Sequence, residues 1–184
     1  YLIILIILIT LIILISSEQI YIIPLKFLNK YLMFTQIYIT LQTNLKDCRQ
    51  VVLLAATLGT EVDRLIRKTQ VVDMAKAVVM QACAATLLEE YCDELQQKIA
   101  EHMQEQGKYI RPRFSPGYGD FSIQHQKAVL AMLEASKRIG VTMTDSYMLT
   151  PTKSVTAVIG IGDVEMNCNL NNCEECDKTD CTYR

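Results

Sequence analysis

Between Asp73 and Gln106 the chain contains neither glycine nor proline, and no other feature limits its fold as strongly. A stretch of that length without the residues that interrupt regular backbone is committed to a long helix. Side chains at Ala75, Val78, Val79, Ala82, Thr86, Leu95, Ile99 and Met103 fall near helical spacing within it, and Gly107 supplies a stop. The first half is crowded with Ala75, Ala77, Ala82, Cys83, Ala84 and Ala85, which predicts close packing against a neighbour. The second half is charged and predicts a half-exposed helix, with Glu89 and Glu90 near the join.

Around this helix the sequence places strands in no regular alternation. Val51–Ala56 is a short apolar run ended by Thr57-Leu58-Gly59, the pattern of a buried strand entering a tight turn. Thr60 with Asp63 three residues on predicts a capping-box-like start to a helix reaching about Lys68. Residues 108–121 read as a loop. Ser122 predicts the cap of a helix to about Ile139, ended by Gly140; Val141 to Leu149 alternates as a strand, Thr150–Lys153 turns, and Ser154 to Ile161 forms a second strand. The predicted class is α+β, an antiparallel-rich sheet with long helices.

A compositional break divides the chain. Residues 1–44 contain no Gly, Ala, Val, Asp or Arg and a single Glu, whereas the sequence from Leu45 onward is rich in all of them. Leu2, Leu5, Leu8, Leu11 and Leu14 recur at a period of three, which matches neither a helical nor a strand face. As a helix, Tyr1–Ile15 rises only about 22 Å against a hydrocarbon core of about 30 Å. Three readings stand open: a translated AT-rich or wrong-frame extension, a membrane segment whose beginning is cut, and a genuine buried element. A membrane partner is expected only if residues 1–44 are genuine. The expected organisation is residues 1–44 as an apolar low-complexity segment, 45–163 as the domain and 164–184 as a cysteine-rich tail.

Eighteen basic and 20 acidic side chains leave no broad cationic face for phosphates, which excludes nucleic acid as a first partner. Seven cysteines are spread unlike a secreted disulfide framework: Cys48, Cys83 and Cys92 are scattered, and four crowd the C-terminus. A reducing, cytoplasmic setting is expected. Cys168-x4-Cys173-x2-Cys176-x4-Cys181 has the donors for a four-thiolate shell around zinc or an iron-sulfur cluster. Reversible disulfides and an inert tail remain open beside it. His102 and His125 read as surface helical residues.

Arg113-Phe114-Ser115-Pro116-Gly117-Tyr118-Gly119-Asp120-Phe121 combines a fork-shaped cation, two glycines that let backbone approach a ligand, a stiffening proline and three aromatics. Such a loop suits a small anionic or zwitterionic ligand with a flat ring, or a structural turn with Arg113 in a surface ion pair. Arg113-x-x-x-Gly117-Tyr118 resembles a motif of the S-adenosylmethionine-binding reactivation domain of cobalamin-dependent methionine synthase, and the longer string resembles its stand-alone relatives. Flanking similarity runs through Ala55–Asp63, Gln126, Lys137–Gly140, Leu149, Pro151 and Lys153–Ala157, so the resemblance covers about residues 45–162.

The resemblance implies that fold, lacking its N-terminal strands, and an accessory role. S-adenosylmethionine would be held by Arg113, Gly117, Tyr118 and Glu89, with Arg113 on its carboxylate and Glu89 on its ammonium or ribose. The methyl group would pass to a re-reduced cobalamin carried by a corrinoid-binding protein or methyltransferase, without a catalytic residue from this chain. The alternative is a metal-binding adaptor with a vestigial nucleoside pocket.

Overall fold

The computed structural model describes residues 21–25, 28, 45 and 47–165. In chain order the elements are β1 (Tyr21–Pro24), β2 (Cys48–Thr57), α1 (Thr60–Val72), α2 (Met74–Gln104), β3 (Tyr109–Ile110), a 3-10 turn (Ile123–His125), α3 (Gln126–Met132), α4 (Ala135–Ile139), β4 (Thr142–Met143), β5 (Leu149–Thr150) and β6 (Ser154–Gly162). A four-stranded antiparallel sheet has the order β1-β2-β6-β3, and β4 pairs with β5 in a separate hairpin. This is the α+β class expected from the sequence.

The sheet is the middle of three layers. Val52, Leu54 and Ala56 of β2 face the α1–α2 hairpin, where they meet Ile66, Ala84, Leu88, Ile99 and Met103. Val51 and Leu53 face the other way, against Phe121, Val129, Leu133 and Val141. Coverage on both faces is why the middle of this strand reads as a continuous apolar run rather than an alternation. Four residues of the opening segment, Tyr21–Pro24, form the edge strand beside β2, and Leu28 is buried in the core with Leu45.

Several local expectations give way to tertiary contacts. Asp63 does not cap its own helix: Gly59, at φ 78°, is the N-cap and offers no side chain. The Asp63 carboxylate is buried and accepts hydrogen bonds from Thr152 N (2.8 Å) and Thr152 Oγ1 (2.6 Å), tying α1 to the turn before β6. Asp73 is the side-chain cap instead, accepting from Lys76 N at 3.0 Å at the start of α2. The helix expected from Ser122 to Ile139 breaks at Glu134, whose φ of 49° no helix accommodates. The strand expected over 141–149 folds back at Thr144–Tyr147 into the β4–β5 hairpin, since Asp145-Ser146 is turn chemistry.

Helix α2 also turns differently from expectation. Ala75, Val78, Val79, Ala82 and Thr86 are exposed, and the buried side chains of the first half are Ala77, Ala84 and Leu88. From Ala77 to Leu88 there is no charged residue, so the sequence pattern there cannot select a face and packing against α1 decides it. In the second half Ile99 and Met103 are buried as expected, against Ile110, Ile159 and Ile161.

Candidate functional site

The ladder between β6 and the chain leaving α2 positions Arg113. Tyr109 pairs with Gly162 and Ile110 with Ile161, the Arg111 N–H donates to Gly160 O at 2.8 Å, and Phe114 exchanges two 2.9 Å hydrogen bonds with Val158. Pro112 and Arg113 therefore lie opposite Ile159 alone, a β-bulge built at a proline that has no N–H for the ladder. One extra residue reverses the alternation. Ile110 faces α2, Phe114 packs in the opposite core, and the bulge lets Arg113 return to the α2 side.

There the guanidinium meets a row of residues one helical turn apart. Arg113 Nη1 lies 2.7 Å from Asp93 Oδ1 and Nη2 lies 3.3 Å from Glu89 Oε2, while Nη1 also donates to Gln96 Oε1 at 3.3 Å. The Arg113 side chain is 19% exposed and its two carboxylate partners are 63% and 66% exposed. The cation thus sits at the rim of the sheet with its acids toward solvent. Beneath them Cys92 is fully buried, and that burial pushes its thiol up to about 11; the nearby Arg113 charge opposes the shift, and Glu89 and Asp93 add to it.

Gly117 and Tyr118 occupy the next turn of the same loop. Gly117 has φ 96° and donates its N–H to Phe121 O at 2.7 Å; the turn closes with Tyr118 N to Ser115 O (3.2 Å) and Phe121 N to Tyr118 O (3.0 Å). A Cβ at Gly117 would come 3.1 Å from Ile123 Cδ1. Phe121 anchors the turn, stacked between Phe114 (6.0 Å) and His125 (5.4 Å), and Tyr118 stands 69% exposed.

The structure therefore brings Glu89 and Arg113 into contact as each other's partners. No hydrogen bond or ion pair among the described residues links Gly117 or Tyr118 to them. Asp93 and Gln96 join the cluster without having been singled out in the sequence; their i+4 and i+7 spacing from Glu89 is the signal that places them on its row. Cys168, Cys173, Cys176 and Cys181 lie outside the described residues, and among the described residues no group of three His, Cys, Asp or Glu side chains could hold a metal ion. No helix among the described residues is long and apolar enough to cross a membrane.

Buried behind the same ladder is Arg111, 2% exposed. It lies over Gly160 and Gly162, where an added Cβ would sit 3.0 Å from its Cγ and 2.6 Å from its Nη2. Its Nη1 donates to Val164 O at 2.9 Å, and its Nε has no hydrogen-bond partner among the described residues.

The family described as "Vitamin B12 dependent methionine synthase, activation domain" matches residues 37–174. Among solved structures, one described as the MetH reactivation domain bound to AdoHcy superposes with a TM-score of 0.54 at 20% identity, covering 66% of this chain and 42% of that one. The chain thus spans less than half the length of that relative, and the likeness is one of fold. No match was found among curated proteins.

Proposed function

Because this chain belongs to the family of vitamin B12 dependent methionine synthase activation domains, we propose that it binds S-adenosylmethionine and presents it to a cobalamin-dependent methyltransferase. The observation that carries this reading is the Arg113 cluster, a guanidinium fork at the rim of the sheet with two largely exposed carboxylates around it. S-adenosylmethionine offers the complementary set: one carboxylate, one ammonium and one sulfonium. In the structure the fork rests on Glu89 and Asp93. On binding, Arg113 takes the ligand carboxylate in bidentate geometry, and the two released acids face the ligand's cationic groups.

That exchange is inexpensive, since ion pairs with exposed partners contribute only about 0 to 1 kcal/mol each. Gly117 and Tyr118 are assigned the adenosine side, where a left-handed glycine admits close backbone approach and an exposed ring is available for stacking. The AdoHcy in the structural relative supports the same ligand class. When bound, the ligand supplies its methyl group to reduced cobalt held by the partner; the residues here bind and orient it and move no proton.

Calorimetric titration of the full chain with S-adenosylmethionine tests the reading. Saturable binding is expected, weakened about 30- to 100-fold by Arg113→Ala through loss of a charge-assisted pair and only partly restored by Arg113→Lys, which keeps the charge but not the fork. Unchanged affinity in a folded Arg113→Ala protein would overturn it.

A further inference from the structure

The outer surface of the α1–α2 hairpin carries two features that the nucleoside site leaves unused. Val71 and Val72 are each 88% exposed, and Met74, Val78 and Val79 are 61–62% exposed. These large apolar side chains continue into exposed Ala75, Ala82 and Cys83, a charge-free row along α2 that nothing described in this chain covers. Beside that row, the solvent face of α1 presents Arg64, Arg67 and Lys68 at helical spacing, with Lys76 following on α2.

Charge is segregated accordingly. Residues 61–88, apart from the buried Asp63, hold four cations (Arg64, Arg67, Lys68, Lys76) and two acids (Glu61, which is ion-paired with Arg64, and Asp73), a net charge of +2 in a chain whose total is −2. From this composition we infer that the outer face of the α1–α2 hairpin docks on an anionic lipid bilayer, its valines entering the boundary of the acyl region while the α1 cations meet phosphate headgroups.

Several observations favour a bilayer over other occupants. A second copy would set two surfaces of net +2 against each other. A protein interface is ordinarily centred on aromatic or arginine anchors seated in pockets, whereas residues 71–86 include neither an aromatic residue nor an arginine. At the turn between the helices Asp73 N donates to Thr69 O at 2.7 Å, and the Asp73 carboxylate accepts from Lys76 N at 3.0 Å. The Asp73 side chain stands at the very tip of the hairpin, so the hairpin lies along the surface rather than entering end-on.

Co-sedimentation of the full chain with vesicles tests this. Vesicles of phosphatidylcholine containing about 30% phosphatidylglycerol are expected to capture the protein, and capture should weaken as added salt screens the cations. Arg67→Gln with Lys68→Gln should lower the partition coefficient about 25-fold, about fivefold per cation, while Arg67→Lys with Lys68→Arg should not. Val71→Asp with Val79→Asp should abolish capture in a protein whose circular dichroism is unchanged. Equal capture by pure phosphatidylcholine, or capture indifferent to all these variants, would place the contact elsewhere and overturn the proposal. Self-association in the ultracentrifuge that Val79→Asp removes, without vesicle binding, would assign the face to a second copy and overturn it equally.

Discussion

Asp63 should be among the most sensitive single positions for stability outside the apolar core. Its carboxylate is 5% exposed and accepts both the backbone N–H and the hydroxyl of Thr152, 89 residues away in sequence, so one side chain closes α1 onto the turn that starts β6. Hydrogen bonds to a charged acceptor contribute about 1.5 to 3 kcal/mol each, and an orphaned buried donor carries a penalty of its own. Asp63→Ala removes both acceptors and is expected to cost about 3 to 4 kcal/mol. Asp63→Asn keeps one acceptor without the charge and should cost about half of that. At roughly 4 °C per kcal/mol for a domain of this size, Asp63→Ala should lower Tm by about 12 to 16 °C. Thermal and urea unfolding of Asp63→Ala, Thr152→Ala and the double variant would measure this, with a coupling near 1 to 2 kcal/mol expected for the hydroxyl bond. A loss under about 0.5 kcal/mol for Asp63→Ala, or strict additivity in the double variant, would refute the assignment of this contact as the clamp.

Other expectations follow from the same geometry. Cys92 titrates at about 11 in the folded protein against its ordinary 9.0, so the unfolded chain releases this proton first; stability should fall as pH rises from about 9 to 11, by about 2 kcal/mol, and level off above. Arg113→Ala removes the one charge that opposes this shift and should lift the titration further, readable by thiol absorbance. Gly160→Ala would bring a methyl group 2.7 Å from Cys48 Sγ and 2.9 Å from Leu45 Cδ2 and should cost about 1 to 3 kcal/mol in urea unfolding.

The long helix, the two central strands and the class were legible because each rests on local chemistry: a run without breakers, short apolar runs, and glycines at the stops. Arg113 and Glu89 were legible as residue types, and their contact was not. It depends on a bulge at Pro112 that no pattern in residues 108–121 announces, because the register of that loop is set by Gly160 and Val158 far along the chain. The exposed face of α2 was hidden for a different reason. Where a helix is apolar all round, as over Ala77–Leu88, periodicity carries no phase and only the position of α1 supplies one. Asp63 shows the remaining case, in which a residue suited to a local cap is claimed by a partner 89 positions away.

Arg111 has a practical consequence for where the folding unit stops. A guanidinium so thoroughly enclosed needs every acceptor it has, and the carbonyl that solvates its Nη1 belongs to Val164, two residues past the end of β6. A chain trimmed at the final hydrogen-bonded residue of the sheet would leave that cation stranded in an apolar interior. The working C-terminal limit is therefore a matter of electrostatics rather than of secondary structure, and truncations should retain at least residue 165.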